Sequence, residues 1–182
     1  MKKPILIFLY LLLSVSCFAQ DKYFTKNGEV SFEASVPSFE EIKAKSTTVT
    51  AILNADTGEL AALTLMKGFR FKIALMEEHF NENYVESDQY PKATFSGKLE
   101  NFRLEDIGNK ESTFPLEGVL NLHGKDKNIK TTASVKRDGD LIVIRAKFMV
   151  KPEDFNIKIP GLVSEKIAKK VGIDVNFSLQ KK

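Results

Sequence analysis

Apolar and polar residues alternate through most of the chain. In EVSFEASV (29–36), Val30, Phe32, Ala34 and Val36 share one face, the pattern of a half-buried strand. TVTAIL (48–53) and ELAALTLM (59–66) follow, with Thr57-Gly58 marking the turn between them. FRFKIALM (69–76) begins with strand alternation and passes into helical spacing, since Met76, Phe80 and Tyr84 recur at i, i+4 and i+8 before Pro91 closes the segment. Four runs then read as successive strands: ATFSGKLENFRL (93–104), TFPLEGVLNLHG (113–124), NIKTTASVKR (128–137) and DLIVIRAKFMV (140–150). The second of them places Phe114, Leu116, Gly118, Leu120 and Leu122 on one face and a mostly polar set on the other. Asp138-Gly139 predicts a type I′ hairpin, and Gly124-Lys125 a second tight turn. A short amphipathic helix is expected over 163–170, ahead of a last strand in GIDVNFSL (172–179).

This order has no βαβ period, no internal repeat and no low-complexity tract. The expectation is an all-β fold: an eight-stranded antiparallel, lipocalin-like barrel with one or two short helices. Runs of this length joined by short turns favour an up-and-down barrel over a sandwich. Eight strands is also the size at which side chains can fill the interior or surround one ligand. Periodicity leaves these two interiors equally open.

The N-terminus does not belong to that pattern. A basic start, Met1-Lys2-Lys3, precedes the unbroken apolar run ILIFLYLLLSV (5–15) and a small-x-small site ending at Ala19. Residues 1–19 therefore read as a secretory signal, with 20–182 as a single domain and a periplasmic or secreted location. Lipoprotein anchoring through Cys17 is disfavoured, because Ser14-Val15-Ser16 lacks the Leu usual three positions before an acylated cysteine. The run is too short to cross a bilayer comfortably, so no stable membrane span is expected once it is removed.

Loss of Lys2 and Lys3 reduces 27 basic residues to 25, against 24 acidic ones, for a net charge of about +1. That balance, with no basic stripe interleaved with aromatics, gives no reason to expect nucleic acid as a partner. It permits a dimer without requiring one. Cys17 is the only cysteine, so the core must stabilise the exported domain without a disulfide.

Catalytic constellations are scarce. EEHFNENYVESDQYP (77–91) gathers Glu77, Glu78, Glu82, Glu86 and Asp88 with His79 and no Lys or Arg. Carboxylates this dense and hydrophilic fit a solvated face better than an acid–base pair, which needs one member in an apolar setting. His79 and His123 are too far apart in sequence to suggest a zinc motif. Asn81-x-Asn83 lacks the central Gly and spaced Glu of a calcium loop. No nucleophile elbow or phosphate-binding glycine loop is present. An exported enzyme or metal-dependent protein working through His79 and nearby carboxylates is the alternative reading. The phenylalanines are more telling, because Phe32, Phe69, Phe71, Phe95, Phe114, Phe148 and Phe177 come from different strands.

Two motifs carry a family resemblance. The H-F-N-E-x-Y…Y-P-x-A-x-F-x-G run is held by His79, Phe80, Asn81, Glu82, Tyr84, Tyr90, Pro91, Ala93, Phe95 and Gly97. The L-x-G-x-L-x-x-H-G-x-x-K element is held by Leu116, Gly118, Leu120, His123, Gly124 and Lys127. With these, the chain resembles the YceI-like family of exported bacterial proteins over nearly its whole length after the leader. The resemblance implies an extended lipocalin-like barrel that binds a long apolar chain, of polyisoprenoid or fatty-acyl/amide type, in an internal tunnel. It implies no catalysis and no cofactor other than a bound lipid. The expected lining is Phe32, Phe69, Phe71, Phe95, Leu116, Leu120, Phe148 and Phe177, with Met76 and Phe80 at the mouth. His79 and Asn81 are the candidate head-group contacts, and capping or turn hydrogen bonds are their structural alternative.

Overall fold

The computed structural model describes residues 21–182, so the leader expected over 1–19, with Cys17, lies outside the described residues. Nine strands follow one another: β1 Lys22–Glu33, β2 Lys43–Asn54, β3 Glu59–Leu65, β4 Arg70–Phe71, β5 Lys92–Leu99, β6 Ser112–Leu122, β7 Lys125–Asp138, β8 Leu141–Val150 and β9 Val171–Lys181. Every pairing is antiparallel, in the order β1-β9-β8-β7-β6-β5-β3-β2, and β1 pairs back to β2. Eight strands therefore close a barrel and leave no free edge. The two-residue β4 is an appendage on β2, pairing Phe71 with Ala44.

Strand β1 starts earlier than the alternation suggests, because its register shifts between Thr25 and Gly28 and again before Val30. Such bulges change which side of the strand faces inward. Tyr23 thus points into the barrel from an odd position and Val30 from an even one. Gly28 is needed there, since an added Cβ would lie 2.7 Å from the Phe177 ring.

Three expectations need correction. The segment 69–76 is strand only at Arg70–Phe71, after which helix α1 (Ala74–His79) runs into a π-helical turn, Phe80–Tyr84. No helix forms over 163–170; a 3₁₀ turn at Gly161–Val163 follows Pro160 instead. The chain there is drawn along the barrel rim, where the Ala168 N–H donates to the Ala34 carbonyl. Both hairpin turns move by one residue. Gly139-Asp140 are the central pair of one, with only Gly139 at positive φ, and His123-Gly124 of the other, both at positive φ. The type I′ geometry therefore belongs to His123-Gly124.

The strands' ends define two poles. At one pole, Leu53, Leu60, Leu99, Phe114, Ile142, Ile144 and Leu179 form the largest core cluster. The β5–β6 connection folds under it, inserting Phe102 and Ile107. The Phe102 and Phe114 rings meet at 5.5 Å, and the Arg137 N–H bonds the Gly108 carbonyl. This pole is closed. The other carries the three longest mouth segments: 34–42, 66–91 and 151–170.

Candidate functional site

Inside the second pole lies a cavity of about 490 Å³, within the roughly 300–1,000 Å³ range of small-molecule sites. Its wall is built by inward positions of the strands, where period two puts every second side chain on the same face. Of the expected lining, Phe32, Phe69, Phe71, Phe95, Leu116, Leu120, Phe148 and Phe177 all border it, as do Met76, Phe80 and His79. Asn81 does not. Its Nδ2 donates to the Glu77 carbonyl at 2.8 Å, the capping alternative, and its buried Oδ1 has no partner among the described residues.

The wall is almost wholly hydrocarbon. Charged groups enter only at the rim, through Glu40 and Lys166, with the exposed His79 beside them. Phe95 packs against both the closed core and the Ile129–Val150–Phe155 cluster, and Leu60 and Ile144 of that core form the floor of the cavity beside it. The ring lies over Gly97 and Gly118, where any Cβ would come within 2.6 Å of its Cζ. Two glycines facing each other across β5 and β6 are what give Phe95 this place.

A lid formed by β4, α1 and the π turn covers part of the cavity. Phe80 descends from it onto three other rings, at 5.2 Å from Phe32, 5.2 Å from Phe71 and 5.9 Å from Phe69. Stacked, tilted and edge contacts of this kind add about 0.5–1.5 kcal/mol per pair beyond area burial. The helix is too short to persist alone, and Glu77 ties it down. One Glu77 oxygen accepts from Arg70 at 2.8 Å, the other from the Phe71 N–H at 3.1 Å. The acidic run is thus a solvated face only in part, because Glu77 turns inward.

The far end of the lid is held by residues that periodicity alone did not mark. His123 Nδ1–H donates to the Phe155 carbonyl at 2.9 Å, and Nε2 meets Glu86 Oε2 at 2.8 Å. Both ring nitrogens are thus engaged by oxygen partners on separate segments. Tyr90 packs on that ring at 4.2 Å. Glu86, His123 and Asn156 all adopt positive φ, a strained choice for side chains other than Gly. One buried imidazole therefore joins the lid, the β6–β7 turn and the β8–β9 connection. The only signal for it in the sequence was a histidine before a turn glycine, within the second family motif.

The 151–170 connection was also missed as wall. Ile157, Ile159, Val163 and Ile167 border the cavity. The last three recur every fourth residue, which reads as helix although the backbone there is turns. Among the described residues, no three His, Cys, Asp or Glu side chains converge as a metal site would require, and no helix is long and apolar enough to cross a membrane.

Comparisons with known proteins agree with this architecture. The family model of the YceI-like domain matches residues 22–179. A polyisoprenoid binding domain from Saccharophagus degradans, implicated in plant cell wall breakdown, superposes with a TM-score of 0.76 at 15% identity, covering 90% of this chain and 99% of that one. BcnA of Burkholderia cenocepacia superposes with a TM-score of 0.69 at 16% identity, covering 84% and 95%. The YceI protein of Campylobacter jejuni gives 0.58 at 13% identity, covering 81% and 88%. At these identities the likeness concerns the fold. No curated protein matches the chain.

Proposed function

Since the chain belongs to the YceI-like domain family, we propose that it binds an amphipathic lipid with a polyisoprenoid or fatty-acyl/amide tail and carries or stores it without catalysis. The observation that supports this most is the almost wholly hydrocarbon wall of the cavity, with charged groups confined to the rim. An enzyme needs convergent reactive groups where its substrate sits, whereas a carrier needs a dry wall and one polar exit. The name of the Saccharophagus degradans domain points to the same ligand class.

The magnitudes suffice. Each buried methylene contributes about 0.8 kcal/mol, so a tail of about ten gains on the order of 8 kcal/mol before the costs of ordering it. The tail would lie among Phe32, Phe69, Phe71, Phe95, Leu116, Leu120, Phe148 and Phe177, passing Met76 and Phe80, with its head group near His79. Export to the periplasm or beyond, led by residues 1–19, is part of the same proposal.

Native mass spectrometry of the purified protein, paired with organic extraction, tests it. The expected result is a stoichiometric adduct that extracts as a lipid. Protein that stays lipid-free after incubation with both isoprenoid and acyl amphiphiles would refute it.

A further inference from the structure

Exposed apolar side chains are distributed unevenly over this barrel. Seven large ones are exposed among the described residues: Phe39, Ile52, Leu65, Leu75, Val119, Met149 and Leu162. Five of them lie at the mouth end. Leu65 is the last residue of β3 and Met149 the last but one of β8, and Phe39, Leu75 and Leu162 stand on the three segments that ring the cavity. None lies on the connections of the closed end, 55–58, 100–111 and 139–140.

Leu162 is the extreme case, 93% exposed on an ordered turn. Ser164 Oγ–H donates to the Gly161 carbonyl at 2.8 Å, and the Lys166 N–H to the Val163 carbonyl at 2.9 Å. The neighbouring Ile159, Val163 and Ile167 turn inward to the cavity wall, so the loop is anchored by one face and presents Leu162 on the other. Around that crest stand Lys158, Lys166, Lys169 and Lys170, all exposed and without a carboxylate within 4.0 Å among the described residues. Glu165 is the loop's one acid. Elsewhere on the rim Glu40, Glu41, Glu78 and Glu82 also lack ion-pair partners among the described residues, against one such cation, Lys72, on the lid, so the mouth is two-sided, basic on this loop and net acidic on the lid and the 34–42 loop.

We infer that the 158–170 loop docks the mouth of the barrel on an anionic lipid bilayer, with Leu162 entering the interface and the lysines meeting the head groups. A single exposed leucine means little. A leucine held at the crest of a cationic loop, on the rim of an apolar cavity, has the two components of interfacial binding: apolar insertion and attraction to anionic lipid. Lysines near a charged surface each add to binding within a Debye length. The acidic sector of the rim would tilt the barrel so that this loop leads. Docking there rests on the carrier reading for its purpose, since a lipid leaving the cavity would pass into the bilayer without crossing water.

The test is co-sedimentation of the purified protein with phosphatidylcholine vesicles, with and without phosphatidylglycerol, alongside melting and bound-lipid measurements. Binding should require phosphatidylglycerol and weaken with added salt. Leu162→Asp should lower it about tenfold or more, and Lys169→Glu with Lys170→Glu should also lower it, while both variants melt like wild type and retain their lipid. Absence of vesicle binding, equal binding by Leu162→Asp, or indifference to phosphatidylglycerol would overturn the inference. So would finding by light scattering that Leu162→Asp only dissolves a dimer of this chain. A protein that carries no lipid yet binds vesicles through Leu162 would sink the carrier reading and leave docking standing.

Discussion

Leu53, Leu99, Ile144 and Leu179 at the closed pole have no measurable exposure, whereas Phe32, Phe71 and Phe80 at the mouth, larger and no less apolar, stay only half-buried. Both poles use the same strands, and each strand runs from one to the other. The difference lies in what caps them. At the closed pole the β5–β6 connection brings Phe102 and Ile107 down onto the strand ends, and the side chains beneath are buried against one another. At the mouth the three long segments stand around the opening, so the rings line a space instead of filling it. On the proposed function, stability and binding fall to different halves of one barrel.

Substitutions at the two poles should separate these roles. Leu99→Ala, in the closed core, should have the largest effect on stability, a loss of about 2–5 kcal/mol in urea unfolding, with lipid per folded molecule unchanged. A matched loss of lipid would join the two halves again. His123→Ala should rank next. It strips the Phe155 carbonyl and Glu86 of their shared donor at the lid's far end, for about 1–3 kcal/mol. Faster lipid exchange should accompany it, and restoration by His123→Asn of stability but not of slow exchange would separate turn strain from latching.

Phe80→Asp should reverse the balance. Phe80 touches the other rings from the lid without being fully buried. Its replacement should therefore change the urea midpoint little while abolishing lipid retention in native mass spectra. Retention at the wild-type level would remove the lid from the account. The smallest effect belongs to an exposed pair at the closed pole. Hydrogen bonds from the Arg103 guanidinium to Asp106 hold that carboxyl below its ordinary range. A depressed carboxyl stabilises the fold above the unfolded carboxylate range and loses that contribution as pH falls through its folded value. Asp106→Asn should slightly flatten the acid side of the melting profile and leave lipid content untouched, since fully exposed pairs contribute little.

The barrel was legible because period-two alternation survives in most of its strands: β5, β6, β8 and β9 begin within one residue of where the pattern places them. Legibility failed where backbone geometry overrides that period. Bulges at Thr25–Gly28 and before Val30 concealed the first turn of β1, and tight turns were misplaced by one residue because positive φ falls on His123 as well as Gly124. The four-residue spacing of Ile159, Val163 and Ile167 mimicked a helix, although these side chains only need to reach one wall from an irregular rim. Eleven of the twelve expected site residues border the cavity, the strand residues by parity and Met76, His79 and Phe80 by the helical spacing of the lid. Asn81 does not border it, because a side chain within a helical turn can bond the backbone one turn earlier instead. The His123–Glu86–Phe155 junction joins three distant segments, and no local period could reveal it.

The most direct test of the central claim is a crystal structure of the protein as purified, with no ligand added. The account predicts continuous density for an apolar chain within the mouth-pole cavity, against Phe32, Phe95 and Phe80, with a head group at the rim and nothing among Leu53, Leu99, Phe114 and Leu179. A mouth pole collapsed on its own phenylalanines, with no such density in protein that has also been soaked with isoprenoid and acyl amphiphiles, would contradict it.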